Sequence, residues 1–321
     1  MTQLFDPMAA VEGIAARLVG GIYGLLIGDA VGVPYEFHNP ADLPPLAALE
    51  YEPPAGFARA HRRVPPGTWS DDGAHALILL ETLLHSRELD LPAFARGLVK
   101  WYEHGYFAVD GVVFDVGIQT STAIRQLQQG VAPQQAGRAD VQGNGNGSLM
   151  RVLPLALWHQ GADEELVTDA HRQSVVTHGH LRAQVCCALY CLWARRTLQQ
   201  SPAPWADAVQ TLRGIYAADS PETAELEFSI RPDDRSPGTG SGYVVDCLRS
   251  ARWAVDQGAY EQVVKAAISL GHDTDTTACV AGGIAGIRDG ITAIPARWQT
   301  GLRGQALVEP LVQQLLARYS G

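Results

Sequence analysis

The chain has 321 residues, of which 46% are hydrophobic and 18% charged, with a net charge of −10. That supplies a substantial core for one large domain or two small ones. It leaves no basic face to neutralise a nucleic-acid backbone, which excludes nonspecific nucleic-acid binding and requires any phosphate-bearing ligand to be held locally.

The start of the chain carries acids at Asp6 and Glu12 and no basic stretch ahead of an apolar core, and nowhere do eighteen apolar residues run together. Neither secretion nor a membrane span is expected, and a cytoplasmic, monomeric protein is the reading. Cys186, Cys187, Cys191, Cys247 and Cys279 are odd in number and lack paired CxxC spacing. Buried free thiols in a reducing compartment fit them.

In chain order, apolar residues recur at helical period over 13–30, where small residues also permit close helix approach, and then over 72–86, 91–105 and 117–130. The pattern continues over 147–160, 180–200, 243–258, 259–271 and 276–290. It predicts an all-α fold of about nine to twelve helices, with neither βαβ alternation nor an internal repeat. Three irregular stretches, 33–70, 142–148 and 230–242, interrupt the helices, and long loops in helical domains tend to carry function. No linker divides two distinct halves, so one domain over 1–321 with a composite site is expected.

Two acidic blocks stand out. "GTWSDDGAHAL" places Ser70, Asp71 and Asp72 before an apolar helix, and "GHDTDTTA" places Asp273, Asp275 and Thr276 before another. Either block alone is explained by capping, since Ser, Thr and Asp are favoured at helix starts. A cap needs only one side chain, however. Together the blocks offer four carboxylates and two hydroxyls, hard oxygen donors without the His and Cys that favour zinc, which points to Mg²⁺ or Mn²⁺. Four carboxylates brought together carry about −4, and two divalent cations balance that charge.

Other candidates have ordinary alternatives beside them. Glu36 follows the first helix and reads equally as a solvated loop acid; Asp29 reads as a loop-fixing group; Asp115, in "FDVGIQT", reads as an N-cap. "GNGNGS" over 143–148 resembles a phosphate-holding turn at a helix start, although no GK[ST] follows and no strand precedes it. His178 and Tyr243 also sit at expected helix starts, where packing or capping accounts for such residues.

As a set, these blocks resemble the ADP-ribosylglycohydrolases. The resemblance runs from Gly28 to about Trp298 through "GDAVGVPYE", "TWSDDGAHAL", "FDVG", "GNGSLMRVLPLAL", "TH" at 177–178, and "SGYVVDCLRSARWAV" followed by "SLGHDTDTTACVAGGIAGIRDGITAIPARW". It implies a single all-α domain of orthogonal helices with a binuclear Mg²⁺ centre, or Mn²⁺, in a cleft at helix N-termini. Ser70, Asp71, Asp72, Asp273, Asp275 and Thr276 would be the ligands. Glu36 would be a flexible acid beside the metals, and Asp115 would lie near the substrate ribose. Asn146, Gly147, Ser148 and Met150 would hold phosphates and ribose, with His178 and Tyr243 lining the same cleft.

The implied activity is hydrolysis of the bond between ADP-ribose and an acceptor on a protein or small molecule, with arginine favoured. Asp71, Asp72, Asp115 and Glu36 all stay open as the base. A noncatalytic ADP-ribose binder and a binuclear nucleotide phosphoesterase are the competing readings. The sequence departs from the family's usual pattern at Ser70 (commonly Thr), Gly73 (Thr or Ser), Ile118 (Asn) and His272 (Gly), and Ile118 leaves the acceptor open.

Overall fold

The computed structural model describes residues 12–86 and 88–319; the N-terminal residues with Asp6 lie outside them. Among the described residues there is no β-strand, only isolated bridges joining Arg138 to His178 and Gly145 to Tyr243. In chain order the helices are α1 (Gly13–Gly32), α2 (Asp71–Ser86), α3 (Leu91–His104), α4 (Ile118–Gln128), α5 (Pro133–Ala136), α6 (Leu153–Trp158), α7 (Asp163–Val175) and α8 (Leu181–Leu198). They continue with α9 (Pro204–Ile215), α10 (Pro221–Ala224), α11 (Val244–Val255), α12 (Tyr260–Ser269), α13 (Thr274–Asp289), α14 (Ala296–Gly301) and α15 (Gln305–Ala317). A π-helical turn over Glu225–Ile230 follows α10.

The centre of the fold is the pair α1 and α13, and both are buried along most of their length. Gly20, Gly24, Gly28 and Gly32 recur every fourth residue of α1 and so share one face. A Cβ at Gly24 would lie 2.5 Å from the Gly282 carbonyl, and one at Gly28 would overlap the Ala278 carbonyl. The absence of side chains therefore lets the two backbones meet. Thr274 Oγ1 spans the pair by donating to Gly32 O at 2.8 Å, and Tyr260 Oη, from α12, donates to Gly24 O at 2.7 Å. Around the pair pack α8, α11 and α12, with α2, α6 and α15 on another side. One continuous apolar core joins them.

Residues 13–35 form a segment long and apolar enough by length and composition to cross a membrane, and most of it is buried inside the protein. It is the core helix. All five cysteines are free and buried.

The helix expected over 147–160 is corrected. Residues 147–151 form turns, and the helix begins at Leu153. Pro154 has no amide hydrogen, and its ring would collide with the carbonyl of residue 150 in a continuous helix. The glycine-rich loop therefore does not open a helix. His178, likewise, sits ahead of α8, whose N-cap is His180.

Candidate metal and substrate site

The two acidic blocks, two hundred residues apart, meet. Ser70 Oγ donates to Asp72 Oδ2 at 3.1 Å, and Thr276 Oγ1 donates to the same oxygen from α13 at 3.3 Å. Asp71 and Asp72 are the first residues of α2, while Asp273 is the N-cap of α13 and Asp275 lies in its first turn. Two buried helix starts thus face each other with their acids inward.

Capping does not occupy Asp71, Asp72 or Asp273, whereas Asp275 Oδ1 accepts from the Thr276 amide at 2.8 Å. Asp29, from α1, accepts from the Ser70 amide at 2.9 and 3.0 Å and from the Gly73 amide at 2.9 Å. It takes the Gly73 amide, one of the orphan donors at the start of α2, while Ser70 Oγ accepts from the Asp72 amide at 3.3 Å, which leaves the Asp71 and Asp72 side chains free for another task. Asp273 makes no side-chain cap bond; its carboxylate accepts from Asn146 Nδ2 at 2.9 Å.

Asp115 is not an N-cap either, since Gly117 takes that position on α4. It holds a left-handed backbone, φ 53°, a conformation costly for a residue with a Cβ. Asp115 joins Asp71 and Asp72 in one acidic group, while Glu36 groups with Asp273 and Asp275. A third group combines Glu36, Asp115 and His61; within each, one ligand atom per residue lies within 4.8 Å of the others.

The acids floor a cleft of roughly 300 Å³. Its lining combines Glu36, Asp71, Asp115, Asp273 and Thr276 with Gly145, Asn146, Gly147, Met150 and His178, and with Gly117, Ile118, Gln119, Thr120 and Gly242. The glycine-rich loop is fastened through several bonds. Asn146 N donates to Gly242 O at 3.1 Å, Val244 N to Asn144 O at 2.9 Å, and Gln119 Nε2 to Gly143 O at 2.9 Å. Among the described residues the Gly147 amide has no protein acceptor, and Gly147 lines the cleft, so it remains available to an anion even though no helix end stands behind it.

Of the expected site residues, Ser70, Asp72 and Asp275 are not part of this lining, and neither are two of the expected substrate-binding residues, Ser148 and Tyr243. The Ser148 hydroxyl turns to the core, accepting from Ser174 Oγ at 2.8 Å with Cys187 Sγ at 3.5 Å. Tyr243 caps the start of α11, is 39% exposed, and accepts from Arg182 Nη1 at 3.0 Å.

A family model described as ADP-ribosylglycohydrolase matches residues 10–321. The chain belongs to the ADP-ribosylglycohydrolase family. It is similar to the ADP-ribosylarginine hydrolase Tri1 of Pseudomonas putida (strain GB-1), 31% identical over 305 residues, covering 94% of this chain and 78% of that one. ADP-ribosylhydrolase ARH3 of Homo sapiens is 24% identical over 343 residues, covering 94% and 93%. A solved structure described as an ADP-ribosylglycohydrolase-related protein complex superposes with a TM-score of 0.76 at 28% identity, covering 95% of this chain and 98% of that one. As an ADP-ribosylglycohydrolase the chain is a hydrolase, and its chemistry is sought in the acidic cleft.

Charge makes that cleft unusual. Burial, followed by mutual repulsion, pushes the Asp71, Asp72 and Asp275 carboxyls well above the ordinary carboxylate range. The same causes raise Glu36 to about 11, and burial with repulsion from Asp273 raises Asp115 to about 6. Asp72 Oδ1 and Asp275 Oδ2 are buried without a hydrogen-bond partner among the described residues. Buried acceptors left unpaired are costly, and a cation resolves both the orphaned oxygens and the repulsion. The oxygen-rich donor set fits a hard divalent ion.

Beneath the glycine-rich loop, burial and then Arg151 lower His178 to about 3. It is a neutral ring at physiological pH, with Nδ1 2.7 Å from Thr177 Oγ1. A Cβ on Gly147 would lie 2.8 Å from its Cε1, so ring and loop are in contact.

Sequence reasoning missed Gln119 and His61. Gln119 clamps the loop from the first turn of α4, next to Ile118, which is 86% exposed. His61 lies in the Pro-rich stretch, where no periodicity marks a side chain that points inward. No signal in a single sequence distinguishes either.

Proposed function

We propose that this enzyme hydrolyses the glycosidic bond between ADP-ribose and an acceptor, with arginine favoured, and so reverses mono-ADP-ribosylation with Mg²⁺ as cofactor, Mn²⁺ substituting. The observation that carries the reading is the Thr276 to Asp72 contact, which makes one buried acidic centre with unpaired oxygens out of two distant blocks. The name of the Pseudomonas putida relative, an ADP-ribosylarginine hydrolase, supports arginine as the acceptor. Ser70, Asp71, Asp72, Asp273, Asp275 and Thr276 would hold two cations.

When bound, the cations supply positive charge that offsets the carboxylates and attracts the ribose hydroxyls. The chain's own groups do the rest. The Gly147 amide and Asn146 hold the phosphates and the adjoining ribose, while Met150 and neutral His178 pack beside them. The carboxylates of Asp71, Asp72, Asp115 and Glu36 surround the reacting sugar carbon, where negative charge stabilises an oxocarbenium-like transition state and one of them takes the proton of the attacking water.

The substrate is an ADP-ribosylated protein or small molecule, and the enzyme works as a cytoplasmic monomer with one domain over 1–321. A panel of defined mono-ADP-ribosylated acceptors, assayed with Mg²⁺, Mn²⁺ and EDTA, tests the reading. Release of ADP-ribose from the arginine conjugate, abolished by EDTA and by Asp275→Ala, is the expected result. Unchanged turnover in Asp275→Ala would refute the metal assignment. Tight ADP-ribose binding without release from any conjugate marks a binder, and phosphate release from ADP-ribose marks a phosphoesterase.

A further inference from the structure

His61 belongs to none of the motifs above, yet its ring meets Glu36, which lines the cleft. Its Nε2 lies 2.6 Å from Glu36 Oε2, with the two side chains 14% and 5% exposed. The ring contacts Phe37 and Phe114, with centroids 5.6 and 5.0 Å away. Phe37 and His61 both have left-handed backbones, φ 64° and 46°, a conformation that persists in residues with a Cβ only where the surroundings impose it. Here the Phe37 amide donates to His272 O at 2.7 Å, Ala60 N to Pro34 O at 2.9 Å, and Val64 N to His61 O at 2.8 Å. The ring is therefore fixed by its backbone and by two aromatic neighbours. Glu36, in turn, reaches both the Asp273 and Asp275 group and the Asp115 group.

We propose that His61 is a positioning residue whose Nε2 hydrogen-bonds the Glu36 carboxyl group and fixes its orientation between Asp115 and the acids of α13. A glutamate in a loop has several rotamers of similar energy, and a hydrogen bond with a clamped ring selects one. The inference rests on the proposed hydrolase reading, in which Glu36 faces the reacting sugar. Partners that orient a group in a reaction centre typically contribute about 10-fold to 100-fold in activity.

The test measures kcat and KM for ADP-ribosylarginine in wild type, His61→Ala, His61→Gln, Glu36→Gln and the His61→Ala/Glu36→Gln double variant, with crystal structures of wild type and His61→Ala. His61→Ala is expected to lower kcat about 10-fold or more while KM changes far less. His61→Gln, whose amide can hydrogen-bond along the same line, restores most of the rate. The double variant is no slower than Glu36→Gln alone, and Glu36 in crystals of His61→Ala leaves its wild-type rotamer. An unchanged kcat in His61→Ala, a loss that adds in full to that of Glu36→Gln, or an unmoved Glu36 rotamer would overturn the proposal. Should wild type release no ADP-ribose, the hydrolase reading fails, and the Glu36 rotamer alone decides whether His61 positions it.

Discussion

Asp29 explains why an acid-rich helix start is available for chemistry at all. Its carboxylate reaches from α1 to accept from Ser70 N and Gly73 N, so the capping that Asp71 or Asp72 would otherwise perform is already done. Burial pushes Asp29 up to about 7, with the two amides pulling the other way. Asp29→Ala leaves two buried amides unpaired, and should cost about 1–3 kcal/mol for each lost partner, read as a lower midpoint in urea unfolding; an unchanged midpoint would contradict this capping role. Other single residues show how far a sequence can be read. His272 stands where the family commonly has Gly, and the structure gives it φ 60°, which is the conformation that favours Gly there. Ser148 shows the opposite: its place in a motif was legible, but the direction of its hydroxyl, toward Ser174 and Cys187, depends on α7 and α8, which no local pattern encodes.

Among the elements, close contact between α1 and α13 delivers the site. The backbone at Gly32 runs against Asp275, where a Cβ would overlap the Asp275 Cα, and Glu36 follows four residues later. Gly28→Ala places a methyl against backbone atoms of Ala278 and Cys279, which cannot rotate away as a side chain can. It should cost about 3 kcal/mol and weaken Mg²⁺ binding with it, since the start of α13 moves; thermal melting and a Mg²⁺ titration measure the two effects, and a wild-type melting temperature would contradict the argument. The helices α1, α2, α3, α4, α8, α11, α12 and α13 were legible from their period. Others were not, each for a physical reason. In α7 the buried apolar residues are only Leu166, Val167 and Ala170, α15 carries Pro310 inside it, and α6 is cut short at its start by Pro154.

At the scale of the whole molecule, the fold gathers buried carboxylates that a folded chain tolerates poorly without countercharge. Burial and repulsion oppose ionisation of Asp71, Asp72 and Asp275 together, and the apolar core around them supplies the low dielectric that sharpens both effects. The meeting of Ser70, Asp71 and Asp72 with Asp273, Asp275 and Thr276 was legible in composition, because no capping requirement calls for so much acid. The share of Glu36 and Asp115 in the same centre was expected only from the family resemblance, and that of His61 not at all, because loops without periodicity and with left-handed backbones at Phe37, His61 and Asp115 bring them there. The central claim is that these acids form one cation-binding centre, and the most direct measurement is a calorimetric titration of Mg²⁺ into metal-stripped protein in the presence of ADP-ribose. The account predicts saturable binding of two Mg²⁺ per chain in wild type and fewer in Asp275→Ala. No saturable binding, or the same stoichiometry in both proteins, would contradict it.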